Sequence, residues 1–173
     1  MTLVAELNND YAGSMIVTEE NPRNWAVSGT DIAEAAAAID GWLTSHTFNS
    51  RIENYVFFIN FGILTAAGET EANFKSNYLY VIDALQTKFP GCYIFITYPG
   101  AGNLPDRHDA VEPWIADIIA SRDKVYAGDD EEVWAKGADN YATMFYDLLH
   151  YAAVAHSAKV VALRARTLAV LGW

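Results

Sequence analysis

Short apolar runs alternate along this chain with longer stretches in which apolar residues recur at three- and four-residue spacing. The short runs predict strands, the longer ones amphipathic helices, and their alternation predicts a parallel sheet covered by helices. Five strands are expected, over residues 2–7, 25–27, 55–61, 92–98 and, briefly, 124–126. Tyr55-Val56-Phe57-Phe58-Ile59-Asn60-Phe61 and Tyr93-Ile94-Phe95-Ile96-Thr97 are almost continuously apolar. That pattern belongs to central strands buried on both faces.

Between the strands the period changes to that of a helix. A first helix is expected over about 30–45, capped by Thr30 or Asp31, with Glu34 near its first turn and Ile32, Ala35, Ala36, Ile39 and Leu43 on one face. A second covers about 69–88, with Phe74, Tyr78, Val81, Ile82 and Leu85 as its buried stripe, and Phe89-Pro90-Gly91 ends it. A third spans about 110–122. Asp129-Asp130-Glu131-Glu132 is read as the acidic start of a short fourth helix, since negative side chains favour a helix N-terminus and the run lacks the alternating ligands and glycine of a calcium loop. The segment 141–171, apolar nearly all round, is expected to form one long buried helix.

The chain has 173 residues, 52% of them apolar, which fits a single domain over 1–173 with a sizeable core. Eleven basic against twenty-two acidic residues leave a formal charge of −11. Such a charge repels phosphate backbones and anionic membrane surfaces, so nucleic acid is not an expected partner. Cys92 is the one cysteine, which excludes an intrachain disulfide and a thiolate metal cluster. The N-terminus lacks the basic start and long apolar run of a signal peptide, and no stretch reaches eighteen apolar residues, so a soluble protein without membrane insertion is expected. Compartment and oligomeric state are left open.

The most chemically legible segment is Asp147-Leu148-Leu149-His150-Tyr151. An imidazole acting as a base needs a carboxylate to fix its tautomer and stabilise its charged form, and Asp147 lies three residues before His150. A helix-surface ion pair is the plain alternative for the two. In an open parallel sheet ligands bind beyond the carboxyl ends of the strands, so the loops from Asn8, Ser28 and Gly62 are the ones to inspect. His156 reads as structural, and His108, in Pro105-Asp106-Arg107-His108-Asp109, as part of a solvated loop or helix start. Asp106, His108 and Asp109 match no metal-ligand spacing. Trp25, Trp114 and Trp134 suit either core packing or a sugar-binding surface. Tyr98-Pro99-Gly100-Ala101-Gly102-Asn103 has neither the lysine of a phosphate loop nor the third glycine of a dinucleotide fingerprint.

From Trp25 onward the chain resembles the SGNH hydrolases, or GDSL esterases. Trp25-Ala26-Val27-Ser28-Gly29-Thr30-Asp31-Ile32 is similar to the family's second block, and Phe58-Ile59-Asn60-Phe61-Gly62-Ile63-Leu64-Thr65 occupies the place of its third, normally G-x-N-D. Lys88-Phe89-Pro90-Gly91-Cys92 leads into the next strand as in the family, and 147–151 resembles the D-x-x-H block. Gly29 and Gly62 are 33 residues apart (62 − 29), and Gly62 and Asp147 are 85 apart (147 − 62), separations that suit one and then two further βα units. The resemblance implies a three-layer α/β/α, flavodoxin-like domain with about five parallel strands. It also implies hydrolysis of carboxylic esters or O-acetylated carbohydrate without a cofactor, with His150 as base, Asp147 as its orienter and the Gly29 N–H in the oxyanion hole.

Departures from the family pattern fall on the polar positions. No G-D-S tripeptide occurs; Asp10 stands at the nucleophile's place, and Ser14, in Gly13-Ser14-Met15-Ile16, is the serine close by that is able to attack. Leu64 replaces the asparagine that donates to the oxyanion, a loss that typically costs about a hundred- to a thousandfold in rate. Leu148, Leu149, Ala152 and Ala153 surround the dyad with helix formers. A second reading follows from these changes: an SGNH-like scaffold, natural or engineered, that binds or assembles without turnover.

Overall fold

The computed structural model describes residues 30–44, 55–62, 69–99, 105–130 and 153–172. In chain order these form α1 (Ile32–Thr44), β1 (Val56–Ile59), α2 (Glu71–Lys88), β2 (Tyr93–Tyr98), α3 (Pro105–Ala120), β3 (Val125–Asp130) and α4 (Ala153–Leu171). The three strands are parallel in the order β1-β2-β3, with Val56 opposite Tyr93 and Ile94 opposite Val125. The fold is therefore α/β, as the alternating periods predict. Helices pack on both sides of the sheet: Ile94, Ile96 and Val125 join the core with α1, α2 and α3, while Gly128 lies against Leu163 of α4. That arrangement is compatible with three layers. The expected strands over 2–7 and 25–27 lie outside the described residues.

Each helix boundary has a local chemical cause. Asp31 caps α1 through a reciprocal box, its Oδ1 accepting from the Glu34 N–H at 2.9 Å while Glu34 Oε2 accepts from the Asp31 N–H at 3.1 Å. Thr70 caps α2 by accepting from the Asn73 N–H at 3.2 Å. At the other end Gly91 turns the chain with φ +81°, a conformation open to glycine, and the chain re-enters the sheet at Tyr93. The buried stripe of α2 is Phe74, Tyr78, Val81, Ile82 and Leu85, the five positions expected from its period. Ion pairs then tie α2 to its neighbours. Arg122 holds Asp83 by two hydrogen bonds of 2.8 and 3.0 Å, and Lys75 reaches both Glu71 and Asp117. These pairs lie at the surface, where solvent screening keeps their contribution to stability small.

Three elements depart from expectation. The helix expected near residue 110 starts at Pro105, because proline suits the first helical turn, where its missing N–H has no partner to lose. His108 thus falls in the first turn of α3. The brief strand expected at 124–126 runs over Val125–Asp130, so Asp129 and Asp130 belong to a strand, while Glu131 and Glu132 lie outside the described residues. Pairing with β2 outweighs the weak preference of carboxylates for a helix start. Within the long final segment, α4 covers Ala153–Leu171, and it is not buried all round: Val154 and Val161 are 52% and 57% exposed, while Ala155, Leu163 and Thr167 face inward.

Cys92 immediately precedes β2, the middle strand of the three, and is 1% exposed. Burial pushes its thiol up to about 11, against an ordinary 9.0. Since the fold favours the protonated form, this contribution to stability is complete below about pH 9 and is lost as pH rises from there toward 11. Native protein is expected to resist a thiol-reactive disulfide reagent at pH 8 and to react fully once unfolded in urea. Rapid labelling of the native state would contradict the burial described here.

Candidate functional site

The carboxyl ends of β1, β2 and β3 lie side by side, and each delivers polar or backbone groups to the same edge of the sheet. β1 ends at Ile59 and leads to Asn60, Phe61 and Gly62. Asn60 is exposed, whereas Gly62 is buried. β2 ends in Thr97 and Tyr98, followed by Pro99, and β3 ends in Gly128, Asp129 and Asp130. A parallel sheet binds ligands at this edge, since the strands stop there and the following loops diverge.

Gly62 is the most constrained residue of the edge. Its φ is +136°, which side-chain-bearing residues rarely adopt, and a Cβ on it would lie 2.9 Å from Pro99 Cγ and 3.4 Å from Val111 Cγ2. The residue before it is fixed as well. Tyr78, fully buried on α2, accepts from the Phe61 N–H at 3.1 Å, and its hydroxyl lies 3.2 Å from the Phe61 carbonyl. A helix side chain thus grips the peptide that enters the turn.

On the neighbouring strands a buried polar pair closes the edge. Thr97 Oγ1 donates to Asp129 Oδ1 at 2.7 Å, with both residues almost without exposure (1% and 3%). Arg166 of α4 donates from Nε to the Gly128 carbonyl at 3.3 Å. Tyr98 sits opposite Asp130 in the register. Burial raises the Tyr98 phenol above its usual range, the carboxylates of Glu112 and Asp130 raise it further, and Arg166 partly opposes them. The phenol is therefore a neutral hydrogen-bonding group throughout the physiological range.

Of the residues singled out from the sequence, Gly62 is placed at this edge. Asp10, Ser14, Gly29, Leu64, Asp147 and His150 lie outside the described residues. Trp114 takes the packing alternative: it is half-buried, its ring centroid 5.4 Å from that of Phe74. Trp25 and Trp134 lie outside the described residues. Sequence reasoning passed over Thr97 and Asp129. The available signal was a hydroxyl at the last inward position of an otherwise apolar strand, matched by a carboxylate near the end of the next. Among the described residues, no group of three or more His, Cys, Asp or Glu is placed to hold a metal ion, and no helix is long and apolar enough to cross a membrane. No protein-family model, curated protein or solved structure matches this sequence.

Proposed function

We propose that this chain is an SGNH-type hydrolase acting on carboxylic esters or O-acetylated carbohydrate, built on a flavodoxin-like sheet of about five strands. In this reading 2–7 and 25–27 supply the two further strands. Ser14 attacks the acyl carbon, His150 takes the proton and returns it to the leaving alcohol, Asp147 orients His150, and the Gly29 N–H stabilises the oxyanion.

The observation that carries this reading is Gly62. The resemblance requires a glycine at the head of the third block, and an independent physical requirement demands glycine at the same position: positive φ, with Pro99 where a side chain would be. Beside it at the same edge stand the half-buried Tyr98 and the buried Thr97–Asp129 pair. One sequence observation favours the second reading, a scaffold without turnover. Leu64 offers the oxyanion no hydrogen bond, and Asp10 stands where the nucleophile belongs.

A fluorophosphonate probe with peptide mapping separates the two readings. Label on Ser14 that disappears in Ser14→Ala and in His150→Ala is the expected result. A well-folded protein that takes no label excludes acyl-serine chemistry and leaves the scaffold.

A further inference from the structure

The end of β3 breaks three local rules within three residues. Ile96 pairs with Ala127 but Tyr98 pairs with Asp130, so β3 takes three residue steps (130 − 127) where β2 takes two (98 − 96). This is a bulge, an interruption concentrated at sheet ends and beside active sites, where it re-aims a side chain. Gly128 occupies it with its alpha carbon against both neighbours: a Cβ there would lie 3.2 Å from Leu163 Cδ2 and 3.3 Å from the Ile96 carbonyl. The extra residue swings Asp129 to the side of the sheet where Thr97 points, and the two meet at 2.7 Å.

Stability is a weak account of a buried carboxyl even with the Thr97 hydrogen bond. Burying a carboxylate costs several kcal/mol, and replacing buried charged groups by well-packed apolar ones is often neutral or stabilising. Departures from local rules that coincide at a ligand-binding edge mark function. A contact path leads from the pair to that edge. Asp129 holds Thr97; Tyr98 and then Pro99 follow Thr97 in the chain; and Pro99 Cγ occupies the space beside the Gly62 alpha carbon.

We infer that Asp129 is a positioning residue of the site. Through its hydrogen bond from Thr97 it sets the end of β2, and with it the Pro99 wall that fixes the Gly62 turn. The inference rests on Gly62 lining an SGNH-type site, and it adds a residue to that site from a different strand.

Phe61-Gly62 is the one Phe-Gly step in the chain, so 13C-carbonyl phenylalanine with 15N-glycine labelling isolates the Gly62 amide in a single NMR signal. Thr97→Val removes the donor while keeping the shape, Thr97→Ser keeps the donor, and Asp129→Asn exchanges the carboxyl acceptor for an amide. The Gly62 amide is expected to move in Thr97→Val and Asp129→Asn and to return to the wild-type position in Thr97→Ser. In the same two variants, kcat for p-nitrophenyl acetate is expected to fall about tenfold or more, with KM held, because misplacement of a lining group costs rate more than binding.

An amide that stays in place in a folded Thr97→Val protein overturns the inference. So does an amide that moves while kcat of an active protein is unchanged. Loss of folding in both Thr97→Val and Asp129→Asn makes the pair a support of the sheet and overturns it too. A wild-type protein inert toward the ester, in which the amide nevertheless moves and is restored by serine, leaves the positioning of Gly62 standing while the hydrolase reading falls.

Discussion

Phe74→Ala is expected to lower the stability of the fold by about 3–5 kcal/mol, the range for emptying a fully buried aromatic site. Phe74 has no exposed surface, and its ring lies 5.1 Å from Tyr78 and 5.4 Å from Trp114, centroid to centroid. It therefore joins α2 to α3 at the centre of the larger core. Neighbouring side chains cannot collapse into the void easily, because Tyr78 is held by its hydrogen bonds to Phe61 and Trp114 is set on a helix. Domains of this kind have roughly 5–15 kcal/mol of stability, so the loss is a large fraction of the whole. Urea titration should show the midpoint falling with little change in slope. A shift equivalent to less than about 1 kcal/mol would mean that the core does not close over this ring as described.

Gly62→Ala is expected to cost about 2–6 kcal/mol, from two separate sources. Holding an alanine at φ +136° strains the backbone by about 1–3 kcal/mol, and forcing its methyl to within 2.9 Å of Pro99 Cγ adds overpacking of about 1–3 kcal/mol. Relief by rotating the peptide is blocked, since Tyr78 grips Phe61 on the preceding residue. Gly41→Ala is the matched control. Gly41 lies inside α1, nothing stands within 4 Å of where its Cβ would be, and alanine there should be stabilising by up to about 1 kcal/mol. Opposite signs for the two substitutions in one melting series are the expected result. Equal and small effects would show that the Gly62 turn is not under the backbone and packing constraint described.

Much of the fold was legible because its signals are local. The stripe Phe74, Tyr78, Val81, Ile82, Leu85 announces a helix face by spacing alone, and 93–97 announces a central strand by its unbroken apolarity. Boundaries were less legible where two local rules compete. Asp129 and Asp130 satisfy the rule for a helix start, yet partners on β2 hold them in a strand. Pro105 marks a helix N-terminus as well as a loop, and its position in α3 resolves the choice. β1 is also less enclosed than its composition suggests, with Phe58 39% exposed although its ring stacks 5.6 Å from Phe95.

For the site, the contrast between Gly62 and Asp129 is the instructive one. Gly62 is singled out in the sequence by the resemblance of its segment to a family block, and in the structure by its positive φ and the closeness of Pro99. Asp129 was misassigned because its role depends on a strand paired through an intervening helix, on one extra residue in the ladder and on the hydroxyl that this bulge brings opposite. The sequence by itself determined the α/β class, the order of the described elements and the inward faces of α1 and α2, since side-chain period and capping chemistry act between near neighbours. Only the tertiary structure decided that Gly62 is conformationally irreplaceable and that Asp129 is a buried partner of Thr97. Those properties are set by contacts of Pro99, Val111 and Thr97 with residues more than thirty positions away.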